Sequence, residues 1–362
     1  MTIPTRMRGV LLKGHGGFEQ LEYCDDIPVP LPGPGEVLIR VAAAGVNNTD
    51  INTRTAWYSK IVTAGTTAAG GSAGYAEAKA EDSGWTGAVL KFPRIQGADV
   101  CGRIVAAGAG VDARRVGERI LIEPVLRAVS GNKPYQAPYF GSECDGGFAE
   151  FTKVPAVHAH RIESPLSDAE LASFPCAYSA AENMLSRADL VAGETVLITG
   201  ASGGVGSAAV QLARRRGAHV IAVAGAAKAA QVESLGAHRV VPRDADLVGS
   251  LGREIADVVV DVVGGAQWPQ LLEVLKRGGR YAVAGAIAGP VVALDLRTLY
   301  LKDLRLLGCT ILDPGIFGNL VGYIERSEIK PALWKTFPLR EIVQAQQEFL
   351  GKAYTGKIVP IP

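Results

Sequence analysis

At 362 residues the chain exceeds one ordinary core and is comfortable for two domains. With 48% hydrophobic and 20% charged residues it reads as a soluble globular protein, and at a formal net charge of +1 its Lys and Arg are scattered rather than clustered. A nucleic-acid or membrane-surface role is therefore set aside, and no apolar run approaches the ~18 residues that a bilayer span requires.

The N-terminal "MTIPTRMRGVLLKG" is charged and strand-like, without the apolar stretch of a signal peptide. Residues 1–50 and 95–155 carry short alternating runs broken by Pro and Gly, such as "GEVLIRVAAAG", "CGRIVAAGAG" and "GERILIEP", which predict a β-rich region. One of these runs ends in "AAGVNNTD", a polar turn holding Asn47, Asn48, Thr49 and Asp50. Between the two β-rich stretches, residues 55–92 are rich in Gly, Ala, Ser and Thr and predict a long loop. Near residue 165 the texture changes: "SDAELASFPCAYSAAENMLSRA" has helical spacing behind Ser167 as N-cap. Buried-type strands then alternate with amphipathic helices, from "ETVLITG" to "LRLLGCTI", the pattern of a parallel sheet covered on both faces. A helix-rich tail follows from about residue 313 and closes on "YTGKIVPIP". The cysteines, Cys24, Cys101, Cys144, Cys176 and Cys309, are odd in number and spread out, so no disulfide framework is expected and a reducing cytoplasm is the expected setting.

The most specific segment is "ETVLITGASGGVGSAAVQLARRRGAHVIAVAGAAK". An apolar strand leads into a turn with Ser202, Gly203, Gly204, Val205 and Gly206, and a helix of small and apolar residues follows. Gly203 allows a pyrophosphate to approach the backbone, Gly206 allows helix and strand to pack closely, and the helix N-terminus favours the negative charge. The first glycine of the usual motif is Ala201 here. The alternative is an ordinary tight strand–helix turn, but the order strand, turn, helix, strand favours a dinucleotide. An acid about 20 residues after the glycines would select NAD; this chain has Ala224 and Gly225 there, with Lys228 and Arg243 beyond, so NADP(H) is expected.

With these landmarks, together with "IQGADVCGRIVAAGAGV", "DGGFAEFTKVP", "DVVVDVVGG", "GGRYAVAGA" and "TGKIVPIP", the chain resembles the medium-chain dehydrogenase/reductase superfamily over essentially its whole length. The resemblance implies an α/β protein: a GroES-like β-rich catalytic domain over residues 1–160, a Rossmann doubly wound parallel-sheet domain binding NADP(H) over 161–312, and a return to the catalytic domain over 313–362. In the zinc alcohol dehydrogenases of this superfamily, the turn, a later G-H-E and a further Cys or His supply the catalytic zinc ligands. The corresponding positions here hold Asn47, Ala98 and Cys176, and of the structural-zinc cysteines only Cys144 has a counterpart. No metal is expected, because a catalytic zinc wants three protein ligands. The turn instead resembles G-V-N-x-x-D of the zinc-independent branch, the quinone oxidoreductase-like and enoyl reductases.

The resemblance makes Asn47, Thr49, Tyr58 and Cys176 the candidate catalytic residues. Asn47 would contact a substrate oxygen or the nicotinamide ribose, Thr49 the substrate oxygen, and Tyr58 would be a proton donor. The candidate cofactor residues are Ser202, Gly203, Gly204, Val205, Gly206, Lys228, Arg243, Val263, Gly285 and Lys357. Plainer readings stand beside these: turn chemistry for Asn47 and Asn48, a structural carboxylate for Asp50, a small apolar helix residue for Cys176 and a solvated lysine for Lys228. The expected activity is metal-free hydride transfer from NADPH to a quinone, enone or enal. A zinc-free carbonyl reductase or alcohol dehydrogenase, or a non-catalytic NADPH-binding or redox-sensing protein, is the alternative. A homodimer through 304–311 is also expected, since that apolar segment looks like an uncovered sheet edge.

Overall fold

The computed structural model describes residues 2–131 and 133–362. Its larger sheet has six parallel strands in the spatial order Arg239–Pro242, His219–Ala224, Thr195–Ile198, Ala256–Asp261, Leu275–Val283, Arg305–Gly308. The chain starts at the central strand Thr195–Ile198, winds outward on one side and then crosses to the other. That reversal leaves a crevice at the carboxyl ends of the strands, where open parallel sheets bind ligands. Val196, Leu197, Ile198, Val258, Val259 and Val260 are all completely buried. Continuous apolar runs of this kind suit strands covered by helices on both faces. The sheet and the expected alternation agree, although the outermost strand is only the four residues Arg305–Gly308.

The second sheet is antiparallel and curled, in the order Phe151–Pro155, Glu36–Gly45, Asp99–Ala107, Arg119–Ile122, Ala159–Arg161. It is the β-rich body read from the alternating runs. A hairpin pairs Arg6–Leu12 with Leu21–Pro28. The tail is less helical than its sequence suggests: around the helices Ile316–Glu325 and Ile342–Gly351 it adds a parallel pair, Leu333–Pro338 with Lys357–Ile361. The last of these strands returns to the antiparallel sheet, where the Val46 N–H donates to the Ile358 carbonyl at 2.9 Å.

Two local departures follow from proline and from side-chain anchoring. The single helix expected after Ser167 is two, Asp168–Leu171 and Pro175–Arg187. Ser167 does cap the first, its hydroxyl accepting from the Glu170 N–H while the Glu170 carboxylate accepts from the Ser167 N–H. Pro175 has no N–H to continue that helix and opens the next one. The Gly/Ala-rich stretch 55–92 holds a short helix, Ala68–Ala73, and lies across the crevice, with the Thr66 N–H donating to the Ile287 carbonyl at 2.9 Å. Among the described residues no helix is long and apolar enough to cross a membrane.

Candidate active site

The turn after Glu36–Gly45 starts the helix Asn48–Arg54, and Asp50 fixes it. The Asp50 carboxylate accepts from the Asn47 N–H at 2.7 Å and from the Gly97 N–H at 3.1 Å, so it ties the turn to the segment that leads through Ala98 into the strand Asp99–Ala107. Burial drives the Asp50 pKa up to about 7, against the pull of those N–H groups and of Lys357.

Behind the turn sits a buried polar knot. The Lys357 ammonium lies 2.7 Å from Asp99 Oδ2, 2.5 Å from Asn47 Oδ1 and 2.8 Å from the Val46 carbonyl. Asn47 Nδ2 donates to Asp99 Oδ2 at 2.9 Å, and Asp99 Oδ1 accepts from the Cys176 N–H at 2.5 Å. Both polar ends of the Asn47 amide, expected on a substrate oxygen or the nicotinamide ribose, have partners inside the chain. Lys357, expected on the cofactor, has its ammonium against three acceptors of the chain. Only its stem reaches the nucleotide turn, where a Cβ on Gly204 would come within 3.1 Å of Lys357 Cδ.

Beside the knot lie Cys176, Thr49, Tyr139, Tyr58 and Trp85. The Tyr139 hydroxyl donates to Cys176 Sγ at 2.9 Å, and its ring rests against Trp85 with centroids 4.6 Å apart. Burial, with Asp99 nearby, pushes the Cys176 thiol up to about 12, so it is a protonated thiol at neutral pH. Thr49 Oγ1 is buried beside the Tyr139 phenol but outside hydrogen-bond geometry, and it has no other partner. Tyr58 packs edge-on to Trp57 and has the Asn52 amide beside its hydroxyl; burial raises its pKa. Thr49, Tyr58 and Cys176 therefore do come together, and Tyr139 and Trp85 join them unannounced by any motif. A lone tyrosine in an irregular segment gives a sequence reader no signal.

These donors do not fit a zinc ion. Ala98 offers a methyl group, the Asn47 oxygen already accepts from an ammonium, and one thiol remains. Among the described residues no group of three or more His, Cys, Asp and Glu side chains is arranged to hold a metal.

The nucleotide turn does fit a phosphate-bearing cofactor. Gly203 caps the twelve-residue helix Gly204–Arg215, whose first-turn N–H groups lack intrahelical acceptors. A Cβ on Gly206 would lie 2.2 Å from the Gly200 carbonyl oxygen, so only glycine lets this helix start so close to its strand. Ser202 and Val205 are half-exposed on the turn, and the Gly356 N–H reaches the Ser202 carbonyl at 3.3 Å. Val263 and Gly285 follow the next two strands along the same crevice. The Val263 N–H is held by Asp261 at 2.8 Å, and a Cβ on Gly285 would sit 3.1 Å from the Val262 carbonyl. Lys228 lies beyond the second strand, its ammonium 2.5 Å from the Lys352 carbonyl, with the charge of Arg243 acting on it. Lys352, missed in the sequence, adds an amine 3.2 Å from Asn48 Oδ1, and desolvation with the charges of Lys228 and Lys357 pulls its pKa down to about 7. Among the described residues none of Lys228, Arg243 and Lys352 forms an ion pair with a carboxylate, and such a cluster attracts an anion.

Comparison with known proteins agrees with this arrangement. The model of the alcohol dehydrogenase GroES-like domain matches residues 33–164, and that of the zinc-binding dehydrogenase matches residues 204–326. An acryloyl-coenzyme A reductase from Metallosphaera sedula is 29% identical, over 98% of this chain and 99% of its own length. A quinone oxidoreductase from Mus musculus is 26% identical, over 98% and 97%. Among solved structures, a putative alcohol dehydrogenase from Sinorhizobium meliloti is 47% identical with a TM-score of 0.89, covering 99% of this chain and 98% of that one. A cobalt- and zinc-bound thermostable alcohol dehydrogenase from Pyrobaculum aerophilum is 30% identical with a TM-score of 0.81, covering 98% and 99%.

Proposed function

This chain belongs to the medium-chain dehydrogenase/reductase superfamily, in its quinone oxidoreductase-like and enoyl reductase-like branch, and from that premise we propose that it reduces conjugated carbonyls with NADPH and without a metal. It is an oxidoreductase of a nicotinamide-dependent kind. The observation that carries the finer reading is the Lys357 ammonium lodged between Asn47 and Asp99, with Ala98 alongside and a single thiol left over. A site built this way has no Lewis acid of its own, and a plain ketone then lacks strong stabilisation for its developing alkoxide. An enone, enal or quinone spreads that charge onto an oxygen that hydroxyl donors can hold. When bound, reduced nicotinamide supplies the hydride. The chain's residues do the rest: the glycine turn with Lys228, Arg243 and Lys352 holds and orients the cofactor, and the Thr49–Tyr139–Cys176 wall faces the substrate.

Lys228, Arg243 and Lys352, with Ala224 where an acid would repel a phosphate, support NADPH over NADH. Five unpaired thiols suit a reducing, cytoplasmic compartment. A second reading, a zinc-free carbonyl reductase, is favoured by the partnerless Thr49 hydroxyl. The test is NADPH oxidation with quinones, enals, enones and their saturated counterparts, before and after chelator treatment. The proposal expects conjugated acceptors to win, chelation to change nothing, and zinc well below one per chain. Turnover of saturated ketones alone moves the protein to the second reading, and loss of activity on chelation defeats metal independence.

A further inference from the structure

The stretch 55–92 crosses the crevice on a short contact that the expected chemistry leaves without a task. Its tip, 64–67, is shaped from within its own part of the chain. The Trp57 indole N–H donates to the Ala64 carbonyl at 2.9 Å, the Tyr75 hydroxyl to the Gly65 carbonyl at 2.8 Å and the Thr66 hydroxyl to Asn52 Oδ1 at 3.2 Å. The tip meets the segment after the strand Leu275–Val283 through the hydrogen bond from the Thr66 N–H to the Ile287 carbonyl. Gly65 lies hard against that segment: a Cβ there would sit 2.5 Å from the Ile287 carbonyl oxygen and 2.9 Å from the Ala288 carbonyl carbon. Gly65 has no left-handed φ, so close approach, not backbone freedom, is what its missing side chain provides.

The seat under the tip is firm. The Ala284 N–H donates to the Asp261 carbonyl at 3.2 Å, the Ala288 N–H to the Val263 carbonyl at 2.8 Å and the Gly265 N–H to the Gly289 carbonyl at 3.1 Å. These bonds tie the segment to Val263 and pass beside Gly285, both candidate cofactor residues. The glycine turn belongs to the first half of the sheet, so this second half is where a dinucleotide lays its nicotinamide end. The joint itself is slight: Gly65 and Thr66 are half-buried, Ala64 and Thr67 are exposed, and a neutral hydrogen bond contributes little net stability. A firm tip on a firm seat, joined weakly, is a latch.

We propose that 64–67 gates cofactor exchange: docked on Ile287 and Ala288 it closes the nicotinamide half of the crevice, and its release lets the dinucleotide in and out. The inference rests on the chain being a nicotinamide-dependent oxidoreductase, whichever acceptor it reduces. Closure keeps water from the crevice while hydride moves, and opening costs few contacts, so it precedes any unfolding of the sheets.

Gly65→Val tests the gate, because the added side chain meets backbone only when the tip is docked. Stopped-flow fluorescence times NADPH binding on mixing and NADPH release against an NADP+ chase, with NADH and NAD+ in their place if NADH is the cofactor held. Both rates are expected to rise about tenfold while Kd stays within about twofold of wild type, since a gate held open speeds traffic in both directions. Tyr75→Phe, which removes the donor to the Gly65 carbonyl, should move both rates the same way by a smaller factor. Unchanged rates in Gly65→Val overturn the proposal. Faster release with unchanged binding overturns it too, because the tip is then a contact of the cofactor and not a gate. Should Gly65→Val fail to fold, the same outcomes are read on Tyr75→Phe. A wild type that binds neither NADPH nor NADH sinks the cofactor reading and the gate together, whereas normal binding with unchanged rates sinks the gate alone.

Discussion

Asn47 and Asp50 show how one short turn carries more than its sequence declares. Both were legible as special, because a run of Asn, Asn, Thr and Asp after a buried strand has little reason to be there for packing alone. What "VNNTD" cannot reveal is that Lys357, 310 positions later, supplies the hydrogen that Asn47 Oδ1 accepts. Asp50 has a measurable signature. Its folded pKa near 7 lies above the unfolded value of about 3.9. Its contribution to stability is therefore fully present below about pH 4 and is lost as pH rises through 7. Thermal melts of the wild type across that window should show this slope, and Asp50→Asn should flatten it. Asparagine cannot accept from both the Asn47 and Gly97 N–H groups as a carboxylate does, so the variant's overall stability should also fall; the slope is the diagnostic quantity. A parallel pH dependence in the two proteins would assign the titration elsewhere.

Among the elements, the glycine turn and its flanking strands follow directly from the sequence, since only a helix starting hard against its strand requires Gly206. The stretch 55–92 does not, because it is held by groups outside itself. Arg54 is completely buried and donates to the Gly16 carbonyl at 2.9 Å, to the Gly71 carbonyl at 2.6 Å and to Gln346 at 3.1 Å, with its guanidinium 4.5 Å over the Phe18 ring. One cation thus anchors the base of that stretch to the hairpin and to the helix Ile342–Gly351. Arg54→Met should leave these acceptors unsatisfied, at about 1–3 kcal/mol each, and loosen 55–92 before the sheets. Limited proteolysis should then cut first within 55–92, at protease levels the wild type withstands. Cleavage elsewhere, or none, would mean the stretch is held by its other contacts.

For the whole molecule, the outermost strand Arg305–Gly308 ends the six-stranded sheet, and Val291, Leu296, Tyr300, Leu301 and Leu306 stand exposed around it. Apolar side chains gathered beside an open edge are what a second copy would cover. The Cys309 N–H points inward, donating to the Val283 carbonyl at 2.9 Å. Strand alternation then turns the Leu307 N–H inward and the Leu306 N–H outward. Light scattering at micromolar concentration is expected to give a dimer of the 37.9 kDa chain, and Leu306→Pro to shift it toward monomer with cofactor binding intact. A monomeric wild type defeats this reading, and a dimer indifferent to Leu306→Pro puts the interface on another face. The cofactor cluster belongs to this scale too: Lys228→Ala and Lys352→Ala should each raise the KM for NADPH about tenfold and leave that for NADH unchanged, as the loss of a phosphate partner would.

By itself the sequence determined whatever depends on near neighbours along the chain. These are the alternating strands, the nucleotide turn with its glycines, the N-cap at Ser167 and the replacement of metal-binding side chains at positions 47 and 98. Periodicity and backbone freedom act over a few residues and leave their mark within a few residues. Only the tertiary structure decided which side chains meet at the candidate site. Lys357 fills the space behind Asn47 because the last strand returns to the first sheet. Lys352 joins Lys228 because the preceding helix ends beside the nucleotide crevice. Tyr139 reaches Cys176 because Trp85 and Glu143 fix its ring and backbone. Each of these pairings closes a long loop of chain, and the burial that gives it strength exists only after both sheets and the tail have packed together.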